Sequence, residues 1–385
     1  MKILISAGEA SGDMYGAQLM EALRRRESSL KFFGVGGDRM RAAGCDTVID
    51  ASDLAVIGIT EIVSHLARIY RRFEKLIAEA DRRRPDLALV IDSPAFNWRV
   101  ARQMRKRGIP VVYYVCPQFW AWRQGRVRLL RKYINKALVI FPFEEQFYRD
   151  RGVDARFVGH PLADLPLPSV SRADYAQKYE LDPAKPWVTL MPGSRAKEVR
   201  MNLPTILETA ASLGSEYEFV LPVAATLSRE FLQRLIAGRV QIHLVPEALP
   251  ALAHSRAGVI ASGTATVEAA LMKTPFVMVY RVSPLTYWLG RPRIKVPHFA
   301  MVNLVAGKEV VPELVQHDFT TENVVSALER ITVDGAERDR MMAGLEQVRT
   351  RLGGDRMQLP AAEAAAEAVL GILHGERMSP SQTSA

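Results

Sequence analysis

The chain is 385 residues long, 48% hydrophobic and 24% charged, with a net charge of +9. That length corresponds to two or three domains, and the composition excludes a disordered or collagen-like chain. No apolar stretch reaches the roughly 18–20 residues that span a bilayer, and two cysteines, Cys45 and Cys116, are too few for a disulfide framework or a zinc site, so a reducing cytoplasm is expected.

Short β-rich runs alternate with helical patterns. Lys2–Ser6 is too short for a signal-peptide core and reads as a first strand. Strands follow at Lys31–Val35, Asp86–Asp92, Pro110–Val115 and Ala137–Phe141. Helices are predicted over Asp13–Arg26, Gly58–Arg84, Asn97–Arg107 and Gly125–Tyr133. Three prolines between Gly159 and Pro168 then interrupt the series and mark a semi-rigid connector. A second series has strands at Trp187–Met191, Glu218–Leu221, Val240–Val245, Gly258–Ala261 and Phe276–Tyr280. It closes with helices over Thr321–Thr332, Glu337–Arg351 and Ala361–His374. The fold class is therefore α/β. Two Rossmann-like domains are expected, residues 1–165 and 166–376, facing a central cleft, with a disordered tail from 377 to 385. Ligands belong at the C-terminal ends of such strands.

The charge is uneven. Eleven Lys and Arg and no Asp or Glu lie between Ser93 and Phe143, so this segment alone exceeds the net charge of +9. Such a field suits a phosphate-bearing partner: nucleic acid, a nucleotide or an anionic membrane surface. A solvated basic helix face is the plainer explanation.

The predicted strand–helix junctions carry the chemistry. Ala7–Asp13 is rich in small residues yet is not G-x-G-x-x-G, and no G-K-[ST] follows, which disfavours nicotinamide and P-loop binding. Its Glu9 and Asp13 suit sugar hydroxyls better than a pyrophosphate, unless Asp13 only caps the following helix. Asp92, at the end of a buried strand, is placed for a general base, or else for fixing the Ser93-Pro94 turn. Pro117–Arg123 offers two Trp, a Phe and an Arg, fit for core packing or for a sugar or acyl platform with a phosphate-binding arginine. Leu190–Arg195 runs from strand to helix, where Gly193 and Ser194 present N–H groups to an anion and Arg195 adds a bidentate donor. Ser262–Glu268 repeats the pattern, with Glu268 a candidate acceptor for ribose hydroxyls or a first-turn glutamate favoured by the helix dipole. The absence of Asp-x-Asp and of metal-ligand histidine spacing argues against a metal site, and no G-x-S-x-G elbow supports a serine hydrolase.

Six motifs together resemble the lipid-A-disaccharide synthases, a family of GT-B type glycosyltransferases: SAGEASGD at Ser6–Asp13, IDSPAFN at Ile91–Asn97, PQFWAWR at Pro117–Arg123, MPGSR at Met191–Arg195, SGTATVE at Ser262–Glu268 and VNLVAG at Val302–Gly307. The likeness extends to about His374. One departure is Ala95, where the family usually has an acidic residue. The resemblance implies an inverting transfer from UDP-2,3-diacylglucosamine to the 6-hydroxyl of 2,3-diacylglucosamine 1-phosphate, giving the β-1,6-linked lipid A disaccharide 1-phosphate and UDP. It implies Asp92 as base or base-orienting residue, Glu9 as the competing candidate, and Arg195 at the departing diphosphate. Gly193, Ser194, Arg195, Gly263, Thr264, Thr266, Glu268 and Asn303 would bind the nucleotide sugar. Ser11, Gly12, Asp13, Asn97, Trp120 and Arg123 would face the acceptor. No metal, no other cofactor and no nucleic acid is implied, and whether the chain forms a homo-oligomer is left open. The acylated substrates place the enzyme on the inner face of the cytoplasmic membrane, against anionic lipid. The amphipathic helix from Gly58 supplies that contact through Ile62, Val63, Leu66, Ile69 and Tyr70, unless this stripe is ordinary core. A GT-B transferase or epimerase with a soluble UDP-sugar substrate is the competing reading.

Overall fold

The computed structural model describes residues 1–54, 62–291, 294–353 and 359–375, with the side chains at 54, 62–67, 285, 289 and 290 excepted. Two parallel sheets organise the chain. The first holds β1 (Lys2–Ala7), β2 (Lys31–Gly36), β3 (Cys45–Asp50), β4 (Leu87–Ile91), β5 (Val111–Tyr114), β6 (Lys136–Val139) and β7 (Ala155–Phe157), in the order β3-β2-β1-β4-β5-β6-β7. The second holds β8 (Trp187–Met191), β9 (Glu218–Pro222), β10 (His243–Val245), β11 (Ala257–Ala261), β12 (Phe276–Tyr280) and β13 (Glu313–Val315), in the order β10-β9-β8-β11-β12-β13.

Central strands form from unbroken apolar runs because helices cover both faces of a doubly wound sheet. Ile3, Leu4, Ile5, Leu87, Leu89 and Val90 have no exposed surface, and each such side chain contributes roughly 1.5–3 kcal/mol by burial. Three strands that the sequence pattern does not reveal, β3, β7 and β13, all lie at sheet edges. β7 and β13 are three residues each, and β3, though six long, is broken by polar residues as in Cys45-Asp46-Thr47, so all three lack the apolar signal.

The strand order reverses between β1 and β4 in one sheet and between β8 and β11 in the other. These are the topological switch points, where adjacent connections leave to opposite faces and open a crevice at the strands' C-terminal ends.

The chain divides into two compact units, Leu165–Arg356 and Met1–Asp164, the latter joined by the C-terminal helix. That helix, Ala361–Leu373, falls in the 166–376 domain of the sequence reading, yet it packs against the helix Ala10–Arg26 of the first unit. Ala364, Ala365, Ala368 and Val369 are buried there. Glu363 pairs with Arg25 and Arg26 at 2.7 and 3.0 Å, and Asp164 accepts the Ala361 N–H at 2.5 Å. An amphipathic stripe shows that a helix is covered on one face but not by which sheet. Residues 377–385 lie outside the described residues.

Candidate active site

In the first unit, Ala7 pairs with Ile91 across β1 and β4, so the turns Gly8-Glu9 and Asp92-Ser93 lie side by side. Asp92 and Ser93 both adopt left-handed backbone, with φ of 47° and 45°. Val115, at the end of neighbouring β5, does the same at 55°, an unusual conformation for a β-branched residue. Such residues persist only where their surroundings over-determine them, and they gather at functional sites. Two side chains hold the turn. Tyr113 donates its hydroxyl to the Asp92 carbonyl at 2.7 Å, and the Asn97 amide donates to the carbonyls of Ser6, Ile91 and Asp92 at 3.1, 2.8 and 2.9 Å. Asn97 also accepts the Ser6 hydroxyl at 2.6 Å, which ties the ends of β1 and β4 together. The Asp92 side chain is half-buried and that of Glu9 is exposed at the start of the helix Ala10–Arg26.

Several residues expected at the sugar have other tasks. Asn97 has no exposed surface and its amide is fully engaged, so it positions the Asp92 turn instead of touching an acceptor. Asp13 does not cap its own helix either. Its carboxylate accepts the N–H groups of Gly37, Arg39 and Met40 at 2.7, 3.0 and 3.1 Å, capping the short helix Asp38–Ala42. Gly12 is buried against Ala7 and Ile91 rather than open to a ligand, and an added Cβ there would meet Ala7 at an ordinary contact distance of 3.4 Å. Ser11 remains half-exposed in the first turn. Trp120 is 4% exposed and donates its indole N–H to Glu144 at 2.8 Å, with Phe143 edge-on at 4.9 Å. It is core. The exposed member of that motif is Trp122, 47% exposed, with the Arg123 guanidinium 3.8 Å over its ring.

Glu144 escaped the sequence reading. It is buried, burial pushes its carboxyl up to about 7, and it also accepts the N–H groups of Ile140 and Phe141 at 3.2 and 3.1 Å. Its only sequence signal is its place three residues after the helix N-cap Phe141, a capping-box position. His160, in the connector, is buried beside Phe141 and Tyr15. Burial lowers its pKa to about 3, so it is neutral.

In the second unit, Met191 pairs with Ile260, which sets the loop Pro192–Arg195 beside the turn Ser262–Thr264. Gly193 has φ of 125°, and a Cβ there would sit 2.7 Å from that of Glu198, so glycine is required. The N–H groups that converge here are those of Ser194 and Arg195, one residue later than the Gly193 and Ser194 pair expected from the sequence, and they hold an anion of the chain itself. Glu198 Oε2 accepts them at 3.2 and 3.3 Å, and Oε1 pairs with the Arg195 guanidinium at 3.0 Å. Gly263, with φ of 149°, begins the helix Thr264–Leu271 and leaves open space beside its backbone. Thr264 is exposed there. Thr266 is not: it is fully buried and donates to the Gly263 carbonyl at 2.8 Å, stiffening the turn from beneath. Glu268 is half-buried, and burial raises its carboxyl to about 7. Asn303 departs from the nucleotide role. It has no exposed surface, accepts the N–H groups of Val310 and Val311 at 2.8 and 3.0 Å, and donates to Glu313 at 2.8 Å. It fastens the loop leading to β13.

The amphipathic helix runs over Ile62–Arg83, and Gly58 lies outside the described residues, as do the side chains of Ile62, Val63 and Leu66. Leu76 and Ala80 are buried and Phe73 meets Phe96 edge-on at 5.9 Å, so the later turns are core. Earlier, Ile69 is half-buried and Tyr70 is 61% exposed. Among the described residues no helix is long and apolar enough to cross a membrane.

Residues 3–369 match the family model for lipid-A-disaccharide synthetase. The chain belongs to the lipid-A-disaccharide synthetase family. It is 52% identical over 376 residues to the lipid-A-disaccharide synthase of Koribacter versatilis, covering 97% of this chain and 98% of that one. It is 49% identical to that of Acidobacterium capsulatum, over 91% of both chains. Among solved structures, a Staphylococcus aureus MnaA–UDP complex superposes with a TM-score of 0.68 at 14% identity, covering 100% of both chains. The calicheamicin glycosyltransferase CalG4 gives 0.59 at 18%, covering 98% of this chain and 99% of that one. The fold is the two-domain GT-B type, and the enzyme is a glycosyltransferase of lipid A disaccharide synthesis.

Proposed function

We propose that this synthetase joins UDP-2,3-diacylglucosamine to 2,3-diacylglucosamine 1-phosphate with inversion at the donor's anomeric carbon. The acceptor's 6-hydroxyl oxygen attacks that carbon, the bond to UDP breaks, and the hydroxyl proton passes to Asp92 Oδ, with Glu9 the competing acceptor. The products are the β-1,6-linked disaccharide 1-phosphate and UDP. The observation that carries this reading is the strained Asp92-Ser93 turn at the first switch point in a chain of this family. A carboxylate carried on a firmly held turn starts near the place where the hydroxyl must arrive.

In the second unit, the donor's diphosphate replaces the Glu198 carboxylate on the N–H groups of Ser194 and Arg195. The Arg195 guanidinium and the helix N-terminus then offset the charge that grows on the leaving group. Thr264 and Glu268 take the ribose. Acylated substrates bring the protein to the anionic inner face of the cytoplasmic membrane, and exposed Tyr70 on the helix Ile62–Arg83 marks the contact. Mass spectrometry of a mixture of the protein with both substrates tests the reaction: a mass equal to the joined tetraacyl disaccharide 1-phosphate, with equimolar UDP, is expected. Donor consumption without that product, or UDP-sugar interconversion with no acceptor, overturns it.

A further inference from the structure

A cavity of about 310 Å³ opens beside the Asp92 turn, lined by Ala95, Trp98, Arg99, Arg126, Arg128 and Leu129. Ala95, Trp98 and Arg99 belong to the helix Pro94–Lys106, which starts directly after Ser93. Arg126, Arg128 and Leu129 come from the basic stretch that runs into the helix Val127–Tyr133. The lining holds three guanidinium groups and no carboxylate. Among the described residues none of these three arginines pairs with an acid, as is also true of Arg39, Arg102 and Arg131 elsewhere in the unit; what sets the three apart is that they line one concavity. Arg99 lies 5.1 Å from the Trp98 ring centroid and donates to the Ala95 carbonyl, which leaves its charge uncompensated. All three arginines are exposed, so an anion entering the concavity meets several cationic donors at once.

We infer that this cavity holds the phosphate of the acceptor, a phosphomonoester on an acylated amino sugar, and so orients the sugar toward Asp92. The inference deepens the function proposed above and rests on it. Charge favours the monoester: it carries about −1.5 to −2 at pH 7 with three acceptor oxygens, while the phosphodiester of a bilayer lipid carries a single charge. Planar guanidinium forks match phosphate oxygens bidentately. The volume also fits. At the lower end of the roughly 300–1,000 Å³ typical of ligand pockets, the cavity accommodates a phosphate with part of a sugar ring and leaves the acyl chains outside. Half-exposed Trp98 and Leu129 provide the apolar wall along which the ring lies.

The test compares two acceptors in detergent, 2,3-diacylglucosamine 1-phosphate and its dephosphorylated analogue, with the parent enzyme, Arg126→Gln, Arg128→Gln and Lys31→Gln. Lys31 begins β2, at the end of the sheet away from the switch point, and makes the same change in net charge. Each arginine substitution should raise the KM for the phosphorylated acceptor about tenfold or more, as expected for one charge-assisted contact. The KM for the analogue and for UDP-sugar should stay put, and Lys31→Gln should match the parent. An equal rise for both acceptors, or no rise, overturns the inference. Flotation with vesicles of phosphatidylglycerol separates the other source of phosphate. Variants that lose vesicle binding yet keep the parent KM in detergent would give the cavity to the bilayer and likewise overturn it. If the parent joins neither acceptor, the proposed function fails instead. Calorimetric titration with the phosphorylated monosaccharide then reads the cavity directly: weaker binding in the arginine variants alone upholds it, and unchanged binding overturns it.

Discussion

At the end of β4, Asp92 and Ser93 hold left-handed backbone without a glycine; at the ends of β8 and β11 the matching turns use Gly193 and Gly263 at φ of 125° and 149°. The two units thus occupy the same topological position with opposite backbone chemistry. A non-glycine residue in that region costs of order 1–3 kcal/mol, which Asn97 and Tyr113 must offset by holding carbonyl groups. The return is a firmly held backbone from which the Asp92 carboxylate projects at the strand end, which suits a base. Glycine turns are unstrained and let backbone N–H groups approach a ligand, which suits diphosphate binding. One unit holds a turn that carries a carboxylate, and the other holds a turn that presents N–H donors.

The largest expected break in this contrast is Asp92→Asn. The change is isosteric and keeps the turn's backbone bonds, so the melting temperature should stay within a few degrees. Removing a general base lowers turnover by about 10²–10⁴. Turnover within a few-fold of the parent would move the role to Glu9.

Asn97→Ala attacks the support instead. It takes the amide from the Ser6 and Ile91 carbonyls and the acceptor from the buried Ser6 hydroxyl, while Tyr113 still holds the Asp92 carbonyl, so denaturant unfolding should show a loss of about 3 kcal/mol. Turnover of the remaining folded protein should fall with it, as the turn that carries Asp92 loosens. An unchanged unfolding midpoint would mean that the turn holds itself.

How much of this was legible in the sequence follows from what each residue does. Gly193, Arg195 and Asp92 stand out because strand–helix junctions expose their chemistry to pattern reading. Asn97, Thr266 and Asn303 sit in equally conspicuous motifs, yet they act beneath the surface, and no motif says which of its polar residues points inward. Asp13 shows the same limit at longer range: its partners Gly37, Arg39 and Met40 lie more than twenty residues away and depend on how β2 returns to the sheet. The three arginines of the cavity were visible only as composition, because two helices must pack before Arg99 meets Arg126 and Arg128.

In the second unit, Arg195→Ala and Glu198→Gln should move UDP binding in opposite directions. The first removes a charge-assisted contact worth about 1.5–3 kcal/mol, a loss of at least tenfold. Calorimetry should find uridine affinity almost unchanged, since uridine has no phosphate. The second removes the carboxylate that competes for the same donors while a glutamine can still cap the helix, so UDP should bind about three- to tenfold tighter. Weaker UDP binding in Glu198→Gln would mean that the carboxylate organises the cradle and does not yield it.

A pH dependence singles out Glu268, whose carboxyl burial raises to about 7. An acid held above its ordinary value in the folded protein stays protonated while the unfolded chain has already ionised, so its contribution to folding stability falls as pH rises from about 4.5 toward 7. Ligand binding runs the other way. Ribose hydroxyls donate to the ionised carboxylate, so binding favours that form and releases a proton near neutrality. Uridine is the informative ligand because no phosphate titrates with it. If only the ionised carboxylate binds, affinity should fall about tenfold between pH 8 and pH 6. Glu268→Gln should bind more weakly and lose the slope altogether, since an amide neither titrates nor accepts as strongly. A uridine affinity in the parent that is flat across this range would remove Glu268 from the ribose.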